Sequence, residues 1–201
     1  MLKTIGEIIK NILTALYQPF FFALVLSVLV MFFILFLGKY KDGVIKDKVW
    51  KAVREWKDVF FASVKFRRAF YLVFFIAMIA FKTLMNREMW MNPVRDVIGI
   101  WGFYDKNGKF TTEIIENVVL FIPLIFFLFF FLETTSKKVS KFSTVIGRAI
   151  AISFLFSLSI EMLQLFLHLG TWQLSDLLFN TLGGTVGGLI YWASSKCRGV
   201  R

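Results

Sequence analysis

The sequence predicts an all-α membrane protein, a polytopic bundle of about five transmembrane helices with amphipathic interfacial helices beside them. Three observations point there. Of the 201 residues, 58% are hydrophobic and 18% charged, against roughly 45–50% and about 25% in soluble domains. The 26 phenylalanines exceed what one core of this length can hide from water. The apolar residues also fall into five runs: Pro19–Leu37, Ala69–Met85, Asn117–Leu132, Val145–His168 and Asp176–Ala193. The first and fourth match the ~20 residues that cross a bilayer upright, and the other three are expected to take an extra turn from their flanks.

In "MLKTIGEIIKNILTALY", Ile5, Ile8, Ile9, Ile12, Leu13 and Leu16 share one helical face, with Lys3, Glu7, Lys10 and Asn11 opposite. This reads as an interfacial helix leading into the first run, because no small-residue cleavage site follows. Ten basic residues lie between the first and second runs: Lys39, Lys41, Lys46, Lys48, Lys51, Arg54, Lys57, Lys65, Arg67 and Arg68. Among them Val49, Val53, Trp56, Phe60 and Val64 form the apolar stripe of a second interfacial helix, whose basic face suits anionic lipid. Pro123 should kink the third run or mark its first turn.

The charges also orient the chain. Between Met85 and Asn117, Arg87, Arg95, Lys106 and Lys109 are balanced by Glu88, Asp96, Asp105, Glu113 and Glu116. Lys137, Lys138, Lys141 and Arg148 follow the third run, an uncharged loop near Gly170 follows the fourth, and Lys196, Arg198 and Arg201 follow the fifth. Basic loops stay in the cytoplasm, so the chain is expected in the cell membrane with its N-terminus outside and its C-terminus inside. Residues 1–85 and 86–201 are expected to join in one bundle.

Net charge is +11, but the basic residues sit between apolar runs, which fits topology and lipid headgroups rather than nucleic acid. One cysteine, Cys197, and one histidine, His168, exclude an internal disulfide, a cysteine metal cage and a two-histidine zinc motif. No metal or cofactor is expected. The absence of an internal repeat argues against many secondary transporter architectures.

The stretch "SIEMLQLFLHLGTWQLSDLLFNTLGG" sets Glu161, Gln164 and His168 on one helical face, and Asp176 and Asn180 one turn apart on the next helix. A loop of roughly seven residues makes the helices antiparallel neighbours, so the polar stripes should meet in the outer leaflet. Asn117, Glu113, Glu116, Lys82, Arg87, Arg95 and Asp96 arrive at the same level. A charged side chain at mid-helix costs about 2.5–3.5 kcal/mol, so Glu161 needs a partner, a proton or water. Two readings follow: a ligand site, or hydrogen bonds between helices at roughly 0.6 kcal/mol each. Ser175 or Asp176 also fits an N-cap, and His168 fits a solvated interface. Gly183, Gly184, Gly187 and Gly188 give two overlapping GxxxG patterns, a packing face for another helix of the chain or, through Gly183 and Gly187, for a second copy. The Trp- and Tyr-rich "WMNPVRDVIGIWGFYDKNGKF" reads first as an interfacial belt and second as a ligand platform.

"ENVVLFIPLIFFLF", "SLSIEMLQLFL" and "SDLLFNTLGGTVGGLIYW", in that order, resemble the VanZ-like family of bacterial membrane proteins, with its N-x-x-L-F-I-P-x-G, S-x-x-I-E-x-x-Q and D-D-x-x-x-N-T-x-G-x-x-x-G motifs. The resemblance covers Arg87–Trp192. It places the family's polar and glycine positions on Asn117, Pro123, Glu161, Gln164, Asp176, Asn180, Gly183 and Gly187. Ile125 stands where the family has glycine, Ser175 where it has a first acid, and Thr171 where an arginine often follows Gly170. The role of that arginine then passes to Arg87, Arg95 or Lys82, or is lost.

The family's founding member is associated with low-level resistance to teicoplanin, a lipid-tailed glycopeptide. The resemblance therefore implies an envelope protein that binds or shields a target at the outer leaflet, a lipid-linked cell-wall precursor or the lipopeptide itself. Asn117, Glu161, Gln164, Asp176, Asn180 and Arg95 are the candidate ligand-binding residues, with membrane lipids around them. A competing reading is a membrane-embedded enzyme on a lipid-linked envelope substrate, with Glu161 and Asp176 as acid and base. A channel or flippase subunit ranks last.

Overall fold

Each apolar run becomes a helix longer than itself, because backbone amides in lipid must be paired within their own segment. The computed structural model describes residues 2–39, 45–85, 89, 91–105, 107–133 and 141–198. These form six α-helices: α1 (Leu2–Lys39), α2 (Ile45–Ala62), α3 (Val64–Ala80), α4 (Glu113–Glu133), α5 (Phe142–Leu167) and α6 (Leu174–Cys197). A π-helical turn, Phe81–Met85, extends α3. β-Pairing among the described residues consists of two isolated bridges, Met89 with Leu169 and Tyr104 with Phe110. Arg87 lies outside the described residues, as do Lys41, Glu88, Lys106, Lys137, Lys138 and Arg201.

Among the described residues, four helical stretches are long and apolar enough to cross a membrane: Ile5–Gly38, Val64–Met85, Glu113–Glu133 and Phe142–Leu167. The fifth run behaves differently. At 24 residues α6 is also long enough, but its Gly, Ser, Thr, Asn and Asp residues keep it out of that set. Those small and polar side chains face α4 and α5, the helices against which α6 packs most extensively. The helices follow one another in the order α1, α3, α4, α6, α5, with buried Ile79 of α3, Phe121 and Ile125 of α4, and Ala149 of α5 between them.

Two expectations about the N-terminal part change. The first interfacial helix is not separate: α1 runs unbroken for 38 residues through a buried Pro19. Membrane helices tolerate such a proline because only one backbone bond is lost and neighbouring helices support the turn. The second amphipathic helix stops at Ala62, so Val64 belongs to α3. Ser63 is extended and its hydroxyl accepts from the Phe66 amide at 3.2 Å, capping α3. The Trp56 ring stacks on Phe60 with centroids 5.3 Å apart and meets Phe70 edge-on, closing the α2–α3 corner.

The overlapping glycine patterns are both filled within the chain. A Cβ on Gly183 or Gly187 would overlap the Val118 or Ile122 carbonyl oxygen of α4, and on Gly184 or Gly188 it would overlap Ser153 or Ala149 of α5. The face considered for a second copy, through Gly183 and Gly187, is thus taken by α4. Likewise α4 continues through Pro123 rather than starting there.

The two ends of the bundle differ. At one, Glu133 of α4 accepts an ion pair from Arg198 beyond α6 at 3.1 Å and from Arg68 of α3 at 3.7 Å. The Arg68 guanidinium also donates to the Phe130 carbonyl at 2.7 Å and lies 3.5 Å from the centre of its ring. The other end carries the starts of α4 and α6, the ends of α3 and α5, and the segments 91–105 and 107–112; it is called the capped end below.

Candidate functional site

The loop from α5 to α6 decides the geometry of the capped end. His168 adopts a left-handed conformation (φ 55°) that stops α5, and Gly170 (φ 75°) turns the chain back. The next helix must then begin with amides that no helical carbonyl can reach. Three consecutive ones find partners elsewhere: Trp172 N–H donates to the Pro93 carbonyl at 2.8 Å, Gln173 N–H to Glu161 Oε2 at 2.9 Å, and Leu174 N–H to the Val97 carbonyl at 2.9 Å. The segment 93–99 is thereby laid as a roof over the start of α6, with the α5 carboxylate beneath it.

Gly99 closes the roof. Its φ of 74° is left-handed, and a Cβ there would overlap Ser175 Oγ and come within 2.8 Å of Gln173 Oε1. Gly99→Ala should therefore cost about 1–3 kcal/mol of backbone strain and raise the roof; faster proteolytic cleavage within residues 93–99, with helix content unchanged, is the expected result.

Glu161, the residue that looked expensive, and Asp176 both sit at the positive, N-terminal end of α6. Glu161 is 1% exposed and Asp176 5%. Glu161 takes the amide of Gln173, the residue that precedes the helix, and Asp176 lies in its first turn, where its Oδ1 accepts from Asn117 Nδ2 of α4 at 2.8 Å. Deeper by one turn, Asn180 Nδ2 donates to Ser157 Oγ of α5 at 2.9 Å. Gln164 turns the other way and donates to the Thr83 carbonyl in the π-helical turn at 2.7 Å; its Oε1 is buried with no hydrogen-bond partner among the described residues.

The expected convergence of Asn117, Asp176, Asn180 and Glu161 is thus present as a set of links joining α4 to α6 and α5 to α6, with Gln164 joining α5 to α3. Arg95 is exposed on the roof and His168 is exposed at the end of α5. Neither Ser175 nor Asp176 is the N-cap: that position is Gln173, whose side chain makes no capping bond. Lys82 pairs instead with Glu116 at 2.7 Å, beside a cavity of about 530 Å³ that none of Asn117, Glu161, Gln164, Asp176 or Asn180 lines. Of the partners not anticipated, Ser157 was findable, being four residues before Glu161 on the same face. The Gln173 amide, the Thr83 carbonyl and Gly99 carry no comparable signal.

Chemically, a general acid or base must come within about 2.6–3.2 Å of the reacting proton. Glu161 and Asp176 are enclosed by protein and hold backbone and side chains in place. The surface presented above them is the roof, where Val94, Arg95 and Ile98 are exposed, followed in the chain by exposed Trp101 and Tyr104. Among the described residues no three His, Cys, Asp or Glu side chains gather as metal ligands.

A family model described as VanZ/LLP1 matches residues 20–195. The chain is 29% identical over 131 residues to Protein VanZ of Enterococcus faecium, covering 64% of this chain and 73% of that protein. No solved structure matches it.

Proposed function

Because the chain belongs to the VanZ/LLP1 family, we propose that it works in the bacterial cell membrane to reduce the action of lipid-tailed glycopeptides or antimicrobial peptides. It does so by binding or shielding a target at the outer leaflet. The charge distribution supports an orientation with the N-terminus outside and the C-terminus in the cytoplasm, which turns the capped end outward. The roof then lies at the membrane surface, where exposed Trp101 and Tyr104 are at home.

The carrying observation is that the Trp172 and Leu174 amides bond the roof carbonyls of Pro93 and Val97, while the Gln173 amide between them is held by Glu161 of α5. In this reading Asn117, Glu161, Gln164, Asp176 and Asn180 serve the ligand by holding that platform. Arg95 meets it directly, as a guanidinium suited to the phosphate of a lipid-linked precursor or to a peptide carboxylate.

Expression in a susceptible Gram-positive host tests this. The inhibitory concentration of a lipid-tailed glycopeptide should rise, while that of a glycopeptide lacking the tail should change little. Arg95→Glu, present in the membrane at wild-type abundance, should remove most of the protection. Full protection by Arg95→Glu would refute the role of Arg95, and no protection by the wild type would refute the function.

A further inference from the structure

The cavity of about 530 Å³ lies between α1, the π-helical turn after α3 and the first turn of α4, and its volume falls within the ~300–1,000 Å³ of small-molecule sites. Pro19, Phe22, Phe81 and Met85 form its apolar side, and Gln18, Lys82 and Glu116 its polar side. The turn that carries Lys82 is π-helical, a local widening of the helix frequently found at functional sites.

Its depth in the membrane follows from the helices that line it. Lys82 and Met85 end the apolar stretch Val64–Met85, and Glu116 lies in the first turn of the stretch Glu113–Glu133. Two apolar boundaries meet at one level, where lipid headgroups lie. Phe22 is 59% exposed and Met85 73% exposed, so the apolar side opens sideways toward acyl chains.

The polar side is equally specific. Lys82 Nζ and Glu116 Oε2 are 2.7 Å apart, and Glu116 Oε1 accepts from Thr112 Oγ1 at 2.7 Å. The two side chains are only 15% and 18% exposed, so the pair gives up much of its hydration. Desolvation offsets most of the attraction in such a pair, yet an ammonium has three donors and a carboxylate about four lone-pair sites to offer. One cation and one anion, held side by side, complement a headgroup that also carries one of each.

We propose that this cavity binds a phospholipid whose headgroup bears both a phosphate and a primary ammonium, of the phosphatidylethanolamine type, entering sideways from the bilayer. Lys82 meets the phosphate and Glu116 the ammonium, while Phe22 and Met85 pack against the glycerol and upper acyl chain. A choline headgroup has no N–H to give Glu116, and an anionic headgroup without the ammonium leaves Glu116 facing like charge. The site stands independently of the function proposed above.

The test uses the full-length protein in mild detergent, equilibrated with equal amounts of phosphatidylethanolamine, phosphatidylcholine and phosphatidylglycerol of identical acyl chains, with retained lipid read by native mass spectrometry. Phosphatidylethanolamine should be retained roughly tenfold over the others, the equivalent of one charge-assisted hydrogen bond. Glu116→Gln should reduce its retention to that of phosphatidylcholine. Ala15→Trp, which fills the cavity and leaves the ion pair intact, should abolish the preference. Equal retention of the three lipids by the wild type would overturn the proposal, as would a preference that survives either substitution.

Discussion

Gly183→Ala combined with Gly187→Ala should unfold the purified protein at a much lower temperature than the wild type, whereas Gly147→Ala should leave it unchanged. The added methyl groups would enter the space of the Val118 and Ile122 carbonyl oxygens. Those oxygens belong to the α4 backbone, which can yield only by moving the whole helix. Overpacking of a well-filled interior costs about 1–3 kcal/mol per site, and here the obstruction is main chain, so the upper end of that range applies to each. Two such losses approach the total stability of a typical domain, about 5–15 kcal/mol. A Cβ on Gly147 meets nothing within 4 Å, which makes it the control. Circular dichroism during heating in detergent provides the reading.

Glu161→Ala should have the second largest effect, and a different one. It leaves the Gln173 amide buried without the acceptor that Glu161 Oε2 provides, at about 1–3 kcal/mol. The adjoining amides of Trp172 and Leu174 hold the roof, so the loss falls on that contact. The α4–α6 seam at Gly183 and Gly187, about three to four turns further along α6, should survive. Glu161→Gln retains an acceptor oxygen for the Gln173 amide, and should lie between wild type and Glu161→Ala.

Much of this arrangement was legible in the sequence. The spacing of Glu161 and Gln164, and the short loop before Asp176, placed the polar residues at one end of adjacent helices because side-chain periodicity on a helix is fixed. The glycine patterns foretold close backbone approach, though not that α4 and α5 would take one pattern each; helix order in the bundle is a tertiary choice that local spacing does not encode. The same holds for Gln164, whose face was correct but whose partner, the Thr83 carbonyl, depends on a π-helical turn with no sequence signature.

The roof was the least legible part. Its partners are the carbonyls of Pro93 and Val97, and every residue type has such a carbonyl. Residues 1–85 were underestimated for another reason. The family match begins at residue 20, in a part of the chain that carries none of the three motifs on which the sequence resemblance was read. The continuous α1 shows the same blindness: Pro19 reads as a boundary by propensity, but a neighbour in the bundle supports the turn it weakens.

Hydrogen–deuterium exchange on the full-length protein tests most directly whether the buried polar residues exist to hold the roof. In Glu161→Ala the amides of Trp172, Gln173 and Leu174 should exchange at least roughly tenfold faster than in the wild type, the equivalent of losing one buried hydrogen bond. Protection around Gly183 and Gly187 should be unchanged. Unaltered exchange at Trp172–Leu174, or a uniform rise along the whole of α6, would contradict the account.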